Sequence, residues 1–241
     1  MGVVGGGLHD RIGDLADELV ALRRDIHAHP ELSRREARTT ALIADKLARA
    51  GIAVRTLPEG GLIADLGGGP TGGPTGVPVV ALRADLDALP VDDLTGDPWA
   101  SRVDGVAHAC GHDVHMVALL GAGLALARQE IPGRVRLVFQ PAEEVMPGGA
   151  LDMIAAGVLD GVTQLFGIHC DPSLDVGKVG LREGPLTGAV DALTIRLSGS
   201  GGHTSRPHLT QDVTFALGVL VTQLPAVLSR RLDPRAGAGV S

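Results

Sequence analysis

An α/β fold with a mostly parallel sheet is the class this sequence predicts, on three observations. Up to about residue 182, helix-type and strand-type apolar patterns take turns along the chain, the order that places helices against a sheet whose strands run the same way. The strand-type runs are short, rich in Val, Leu and Ile, and bounded by turn residues. A long irregular stretch, 84–111, sits between a strand and a helix and holds many of the polar residues of chemical interest, as functional loops do.

The elements follow in order. Ile12, Leu15, Leu19, Leu22 and Ile26 recur at helical spacing and predict an amphipathic helix over about 9–28, ended by Pro30. A second helix is expected over about 34–49, stopped at Gly51. Short strands are expected near 52–57 and 61–66, then a turn-rich loop, GGGPTGGPTG, at 67–76. Val77 to Leu82 reads as a buried strand. Asp113 to Glu130 reads as a helix with His112 at its start and Asp113 as a capping residue. Val135, Leu137 and Phe139 alternate as in a strand, and a helix near 149–156 and a strand near 163–169 come next. Glu183 to Gly188 reads as a linker. Beyond it, Leu193, Ile195 and Leu197 alternate and predict a strand. A helix is expected over about 211–231, with Pro225 kinking it or ending its first part.

Bulk properties narrow the function. The chain has 241 residues, 44% of them hydrophobic and 20% charged, as in an ordinary globular protein of one or two domains. With a net charge of −7, 2% aromatics and no Tyr, it lacks the basic runs and stacking rings that capture nucleic acid. No apolar run is long enough to cross a bilayer, and the opening MGVVGGG lacks the pattern of a secretory signal. Two cysteines, Cys110 and Cys170, make no disulfide framework, so a reducing cytoplasm is expected.

The chemistry concentrates in HACGHD (108–113), QPAEE (140–144) and GIH (167–169). They offer a thiolate, imidazoles and carboxylates, the ligand types of zinc, manganese and similar ions. In the adjacent pair Glu143-Glu144, one carboxylate can bind metal while its neighbour moves protons. Asp85, Glu143, Glu144 and His169 all fall at or just past the end of an expected strand, where parallel sheets gather ligands. Each piece has a plainer explanation: an inert buried cysteine, a capping histidine, a solvated Glu pair, a core histidine, turn-forming aspartates. His27 and His29 form an H-x-H pair but sit at a helix end before Pro30.

Taken together, RRDIHAHPELS (23–33), LRADLDALP (82–90), HACGHDVH (108–115), FQPAEE (139–144), GIHCDP (167–172) and SGSGGHTSRPH (198–208) resemble the metal-dependent amidohydrolases. That group includes hippurate hydrolase, N-acyl-amino-acid amidohydrolase and indole-acetyl-amino-acid hydrolases, within the aminoacylase and carboxypeptidase-G-type metallopeptidases. The resemblance implies a di-metal exopeptidase-like catalytic domain at 8–186, interrupted by an α+β lid or dimerisation domain from 187 to 241, both incomplete here because family members continue further. It implies two divalent ions, manganese or zinc first and cobalt or nickel next. Cys110 would bridge them, with His112, Glu144 and His169 as further ligands. Asp87 would orient His112, and Asp85 stands where related subfamilies have a ligating histidine. Glu143 would be the general base and acid, and His203 would stabilise the oxyanion, in several relatives for the partner subunit's site. The implied reaction is hydrolysis of the amide of a small N-acyl amino acid, by a homodimer when full length, with no nucleic-acid or membrane partner. A non-catalytic fragment that only dimerises or binds metal weakly, and a dipeptidase or biosynthetic deacylase on the same scaffold, are the alternatives.

Overall fold

A computed structural model describes residues 5–68, 78–184, 186 and 193–231. The chain forms two compact units, Met1–Lys178 and Val179–Ser241. Residues 69–76 of the expected loop and 185, 187 and 188 of the expected linker lie outside the described residues.

The first unit is built on a five-stranded sheet. Its strands are β1 (Val54–Thr56), β2 (Leu62–Gly67), β3 (Val79–Asp85), β4 (Arg134–Gln140) and β5 (Val162–Gly167). Their order across the sheet is β1-β2-β4-β3-β5. β3 runs parallel to both β4 and β5, whereas β2 is antiparallel to β1 and β4. The parallel trio β4-β3-β5 therefore ends on one rim of the sheet, and that rim carries the site.

Alternation along β4 shows how the sheet is covered on both sides. Leu137 and Phe139 enter one cluster with Leu22 and Ile26 of α1 (Gly5–Ala28), Ile43 and Leu47 of α2 (Ala37–Arg49), and Met116 and Leu120 of α3 (His112–Leu126). Val138 points the other way, into a smaller cluster with Ala81, Ile63, Val158 and Met153 of α4 (Gly149–Ala155). This is the period-2 rule of a strand whose two faces are both buried. The α3 helix packs close to the sheet because Gly123 has no side chain: a Cβ there would lie 2.4 Å from Leu137 Cδ1.

Three expectations need correction. Asp113 does not cap α3; the cap position is Gly111, and the Asp113 carboxylate instead takes Arg23 Nε at 2.7 Å and His27 Nδ1 at 2.8 Å. Residues 193–200 form no strand, although Leu193, Ile195 and Leu197 do alternate. A strand needs a neighbour for its backbone N–H and C=O groups, and among the described residues none pairs with this segment. Of the two outcomes expected at Pro225, the stop is overturned: the last helix, α5 (Val213–Arg231), continues through it. Among the described residues, no helix is long and apolar enough to cross a membrane.

Candidate metal centre

The rim of the parallel trio brings four segments together. β3 delivers Asp85 and then Asp87, β4 leads through Pro141-Ala142 to Glu143 and Glu144, β5 leads to His169 and Cys170, and α3 opens with Gly111 and His112. Local backbone features set these turns. Gly111 has φ +86°, which an L side chain rarely adopts, and a Cβ there would come within 3.0 Å of Cys170 Sγ. Ala142 also has positive φ, +50°. Its turn is held by the buried Glu36, whose Oε1 accepts the Ala142 N–H at 2.8 Å.

His112 is the hub. It is fully buried. Its Nδ1 donates to the backbone carbonyl of Asp87 at 2.8 Å, which leaves Nε2 with a lone pair directed into the site. Around Nε2 stand Glu144 Oε1 at 3.6 Å, Asp85 Oδ2 at 3.6 Å and Glu143 Oε2 at 3.9 Å. Both His112 Nε2 and Glu144 Oε1 are buried without a hydrogen-bond partner. Cys110 Sγ lies 3.4 Å from His169 Nε2. Three overlapping groups have ligand atoms mutually within 4.8 Å: Cys110, His112 and His169; His112, Glu143 and Glu144; and Asp85, His112 and His115.

Hydrogen bonding separates two kinds of residue here. Asp85 and His115 are satisfied by protein groups: Arg83 Nη1 donates to Asp85 Oδ2 at 2.7 Å, His115 Nδ1 binds Asp85 Oδ1 at 2.7 Å, and the Cys170 N–H donates to His115 Nε2 at 2.8 Å. His112 Nε2 and Glu144 Oε1 are not. Unpaired buried polar atoms of this kind mark a place for something else to bind. Facing oxygens, a free imidazole nitrogen and a thiol fit a divalent cation.

The electrostatics agree. Burial disfavours the charged form of His112, but Asp87, Asp85 and Glu144 outweigh it and hold the imidazole pKa above its ordinary value. Burial, with Glu144, Glu143 and Asp85 close by, pushes the Cys110 thiol up to about 12. In both, the neighbouring carboxylates contribute, and a cation would offset their charge. Burial first, and then Glu144, raise Glu143, which suits a group that takes up and gives back a proton.

Asp87 packs against His112: its backbone carbonyl accepts from Nδ1 at 2.8 Å, and its carboxylate stands 3.5 Å from Nδ1 and accepts from Ser33 Oγ at 2.6 Å and the Glu144 N–H at 2.9 Å. His27 and His29 stay out of the centre: His27 bridges Asp113 and Asp93, and His29 bonds the Asp25 carbonyl. His203 belongs to the second unit, where its Nδ1 accepts the Ser205 N–H at 3.2 Å. Two contributors escaped the sequence reading of the site, His115 and Glu36. The HDVH spacing could have found His115, since positions i and i+3 share a helix face; nothing local marks Glu36.

Comparison with known proteins supplies the family. The model of peptidase family M20/M25/M40 matches residues 81–233. This chain belongs to that family. It is 43% identical over 227 residues to an N-acetylcysteine deacetylase of Bacillus subtilis, covering 92% of this chain and 58% of that one. It is 55% identical over 219 residues to a Rhodococcus jostii protein that carries the name glutamate–cysteine ligase 2-3, covering 90% of this chain and 27% of that one. Among solved structures, the Bacillus subtilis YXEP protein, a dinuclear metal-binding peptidase of family M20, superposes with a TM-score of 0.67 at 43% identity, over 72% of this chain and 48% of that one. The chain thus spans less than two thirds of the length of each of these relatives.

Proposed function

We propose that this chain carries the metal centre of an amidohydrolase that cleaves N-acyl amino acids, with the amide of an N-acylated cysteine as the first substrate to try. The observation that carries the reading is the buried, unpartnered His112 Nε2 facing Glu144, Glu143 and Asp85 across gaps of 3.6–3.9 Å. The cysteine preference rests on the deacetylase relative.

Cys110, His112, Glu144 and His169 would hold two divalent ions, manganese or zinc before cobalt or nickel. When bound, such ions polarise an amide carbonyl and make water a better nucleophile at neutral pH. The rest is done by side chains. Glu143, raised in pKa and half exposed at the mouth, takes a proton from the attacking water and returns it to the leaving amine. Asp87 and the fixed His112 tautomer keep the ligand nitrogen directed inward. His203 accepts at Nδ1, so its proton sits on Nε2, the arrangement an oxyanion donor requires. The reading implies a catalytic part at 8–186 and a lid or dimerisation part at 187–241, acting as a homodimer in a reducing cytoplasm.

The test is hydrolysis of N-acetyl-L-cysteine, followed as released acetate, by this chain and by its Glu143→Gln variant, each loaded with manganese or zinc. Metal-dependent turnover that falls about 10²–10⁴-fold in Glu143→Gln, with metal content unchanged, is expected. Equal turnover by the variant contradicts the role of Glu143. A chain that keeps its metals yet hydrolyses no N-acyl amino acid contradicts the reaction.

A further inference from the structure

We propose that His115, with Asp85 and Arg83 behind it, is a positioning residue that holds the exposed His169–Cys170 segment against the first turn of α3 and so fixes His169 for metal. The last step rests on the metal reading above; the holding of the segment does not.

The problem His115 solves is visible in the burial pattern. Residues 163–172 are all exposed, including Leu165, Phe166 and Ile168 at 51–57%. The last paired residue of β5 is Gly167, opposite Arg83. Beyond it, neither apolar packing nor sheet pairing places His169. A ligand carried on such a segment would lose orientation, and every rotamer it visits lowers the affinity for an ion.

A continuous chain of hydrogen bonds supplies the missing hold. Arg83 Nη1 donates to Asp85 Oδ2 at 2.7 Å. Asp85 Oδ1 takes the His115 Nδ1 proton at 2.7 Å. That sets the tautomer, so His115 Nε2 is an acceptor, and it receives the Cys170 N–H at 2.8 Å. The Cys170 carbonyl in turn accepts from His169 Nδ1 at 2.7 Å. His169 Nε2 is thereby left with its lone pair toward Cys110 Sγ, 3.4 Å away. The inner members are anchored: His115 and Asp85 are 0% and 1% exposed. The imidazoles of His115 and His169 lie 4.9 Å apart, close enough for the inner ring to limit the outer one's swing. Because both of its nitrogens are engaged, His115 supports the centre without ligating in it.

The experiment compares the wild-type chain with His115→Phe, which keeps a ring but no nitrogen, and His115→Gln, which can still accept from the Cys170 N–H. In the metal-free proteins, exchange of the Cys170 amide is followed by NMR, with the Phe139 amide in β4 as the internal control. A rise of at least about fivefold at Cys170 in His115→Phe is expected, largely reversed in His115→Gln, with Phe139 unchanged. Unchanged exchange at Cys170 overturns the proposal. Should His115→Phe fail to fold, His115→Asn, too short to reach Cys170, takes its place with the same outcomes.

Cobalt titration then tests the link to His169. The affinity should fall about 10–100-fold in His115→Phe and no further when that change is added to His169→Ala. Equal losses in both backgrounds mean that His115 does not act through His169, which also overturns the proposal. If the wild-type chain takes up no cobalt, the metal reading fails, and the amide exchange still decides whether His115 holds the segment.

Discussion

β3 and β5 are parallel neighbours of nearly the same length, each ending on the rim that holds the site, yet they live in different surroundings. β3 is central and mostly covered, with Val79, Ala81, Ala84 and Asp85 buried. β5 is at the edge, and every residue after Val162 is exposed, Phe166 at 55%. The two sequences, VVALRAD and VTQLFG, would not have foretold so large a gap. Position in the sheet sets burial, and burial sets how each strand holds its site residue. Asp85 is fixed by packing and an ion pair inside the fold. His169 depends on a short chain of hydrogen bonds that begins at Asp85 itself.

This contrast can be broken by experiment. The largest effect is expected in the core behind the central strands. Phe139, 0% exposed on β4, should cost about 3–5 kcal/mol when changed to Ala, whereas Phe166→Ala on β5 should stay within about 0.5 kcal/mol. Urea unfolding midpoints of the two variants measure both; comparable losses would mean that β5 is as well covered as the inner strand β4.

A smaller effect is expected on metal affinity with pH. The metal-free Cys110 thiol, pushed up to about 12 by burial and the nearby carboxylates, is protonated at neutral pH and must release that proton to ligate. Apparent affinity should therefore rise with pH, by about tenfold per unit for each proton released, and zinc loading should acidify a weakly buffered solution. Calorimetry in buffers of different ionisation enthalpy counts the protons. A pH-independent affinity would remove Cys110 from the centre.

The smallest effect concerns Asp65 on the antiparallel side of the sheet. Burial works against its charge, but Arg136 and Arg134 outweigh it and hold its pKa below the ordinary 3.8. A depressed carboxylate pKa contributes stability above the unfolded value, and that contribution disappears as pH falls through the folded value. Asp65→Asn should thus cost about 1 kcal/mol at pH 7, the carboxylate being partly exposed, and progressively less as pH falls below the ordinary carboxylate range. Unfolding midpoints across that range would show the two curves converging; a constant offset would contradict the pairing.

Much of this was legible beforehand. The five strands and the helices of the first unit follow from apolar period and turn residues, most clearly in the inner strands β2, β3 and β4, which have a core to report. Sequence pattern placed Glu143 and Glu144 just past a strand end and Cys110 in a glycine-bearing loop before a helix, and the structure has them there. The alternation at 193–197 misled, since a strand requires a partner that no single segment can announce. At Pro225 the helix does not stop, since α5 runs on to Arg231. Asp87 lies beside His112, and its backbone carbonyl, which has no side-chain signature, makes the shorter contact. Glu36 reaches Ala142 from 106 residues away, a distance over which sequence pattern carries nothing.

The account stands most directly on a cation held at His112. Zinc titration of the chain and of His112→Ala, followed by calorimetry and by metal counting, tests it. Tight binding by the wild type that weakens at least about 100-fold in His112→Ala, with the fold intact by circular dichroism, is the predicted result. Binding that is unchanged in the variant, or absent from the wild type, would contradict the metal centre.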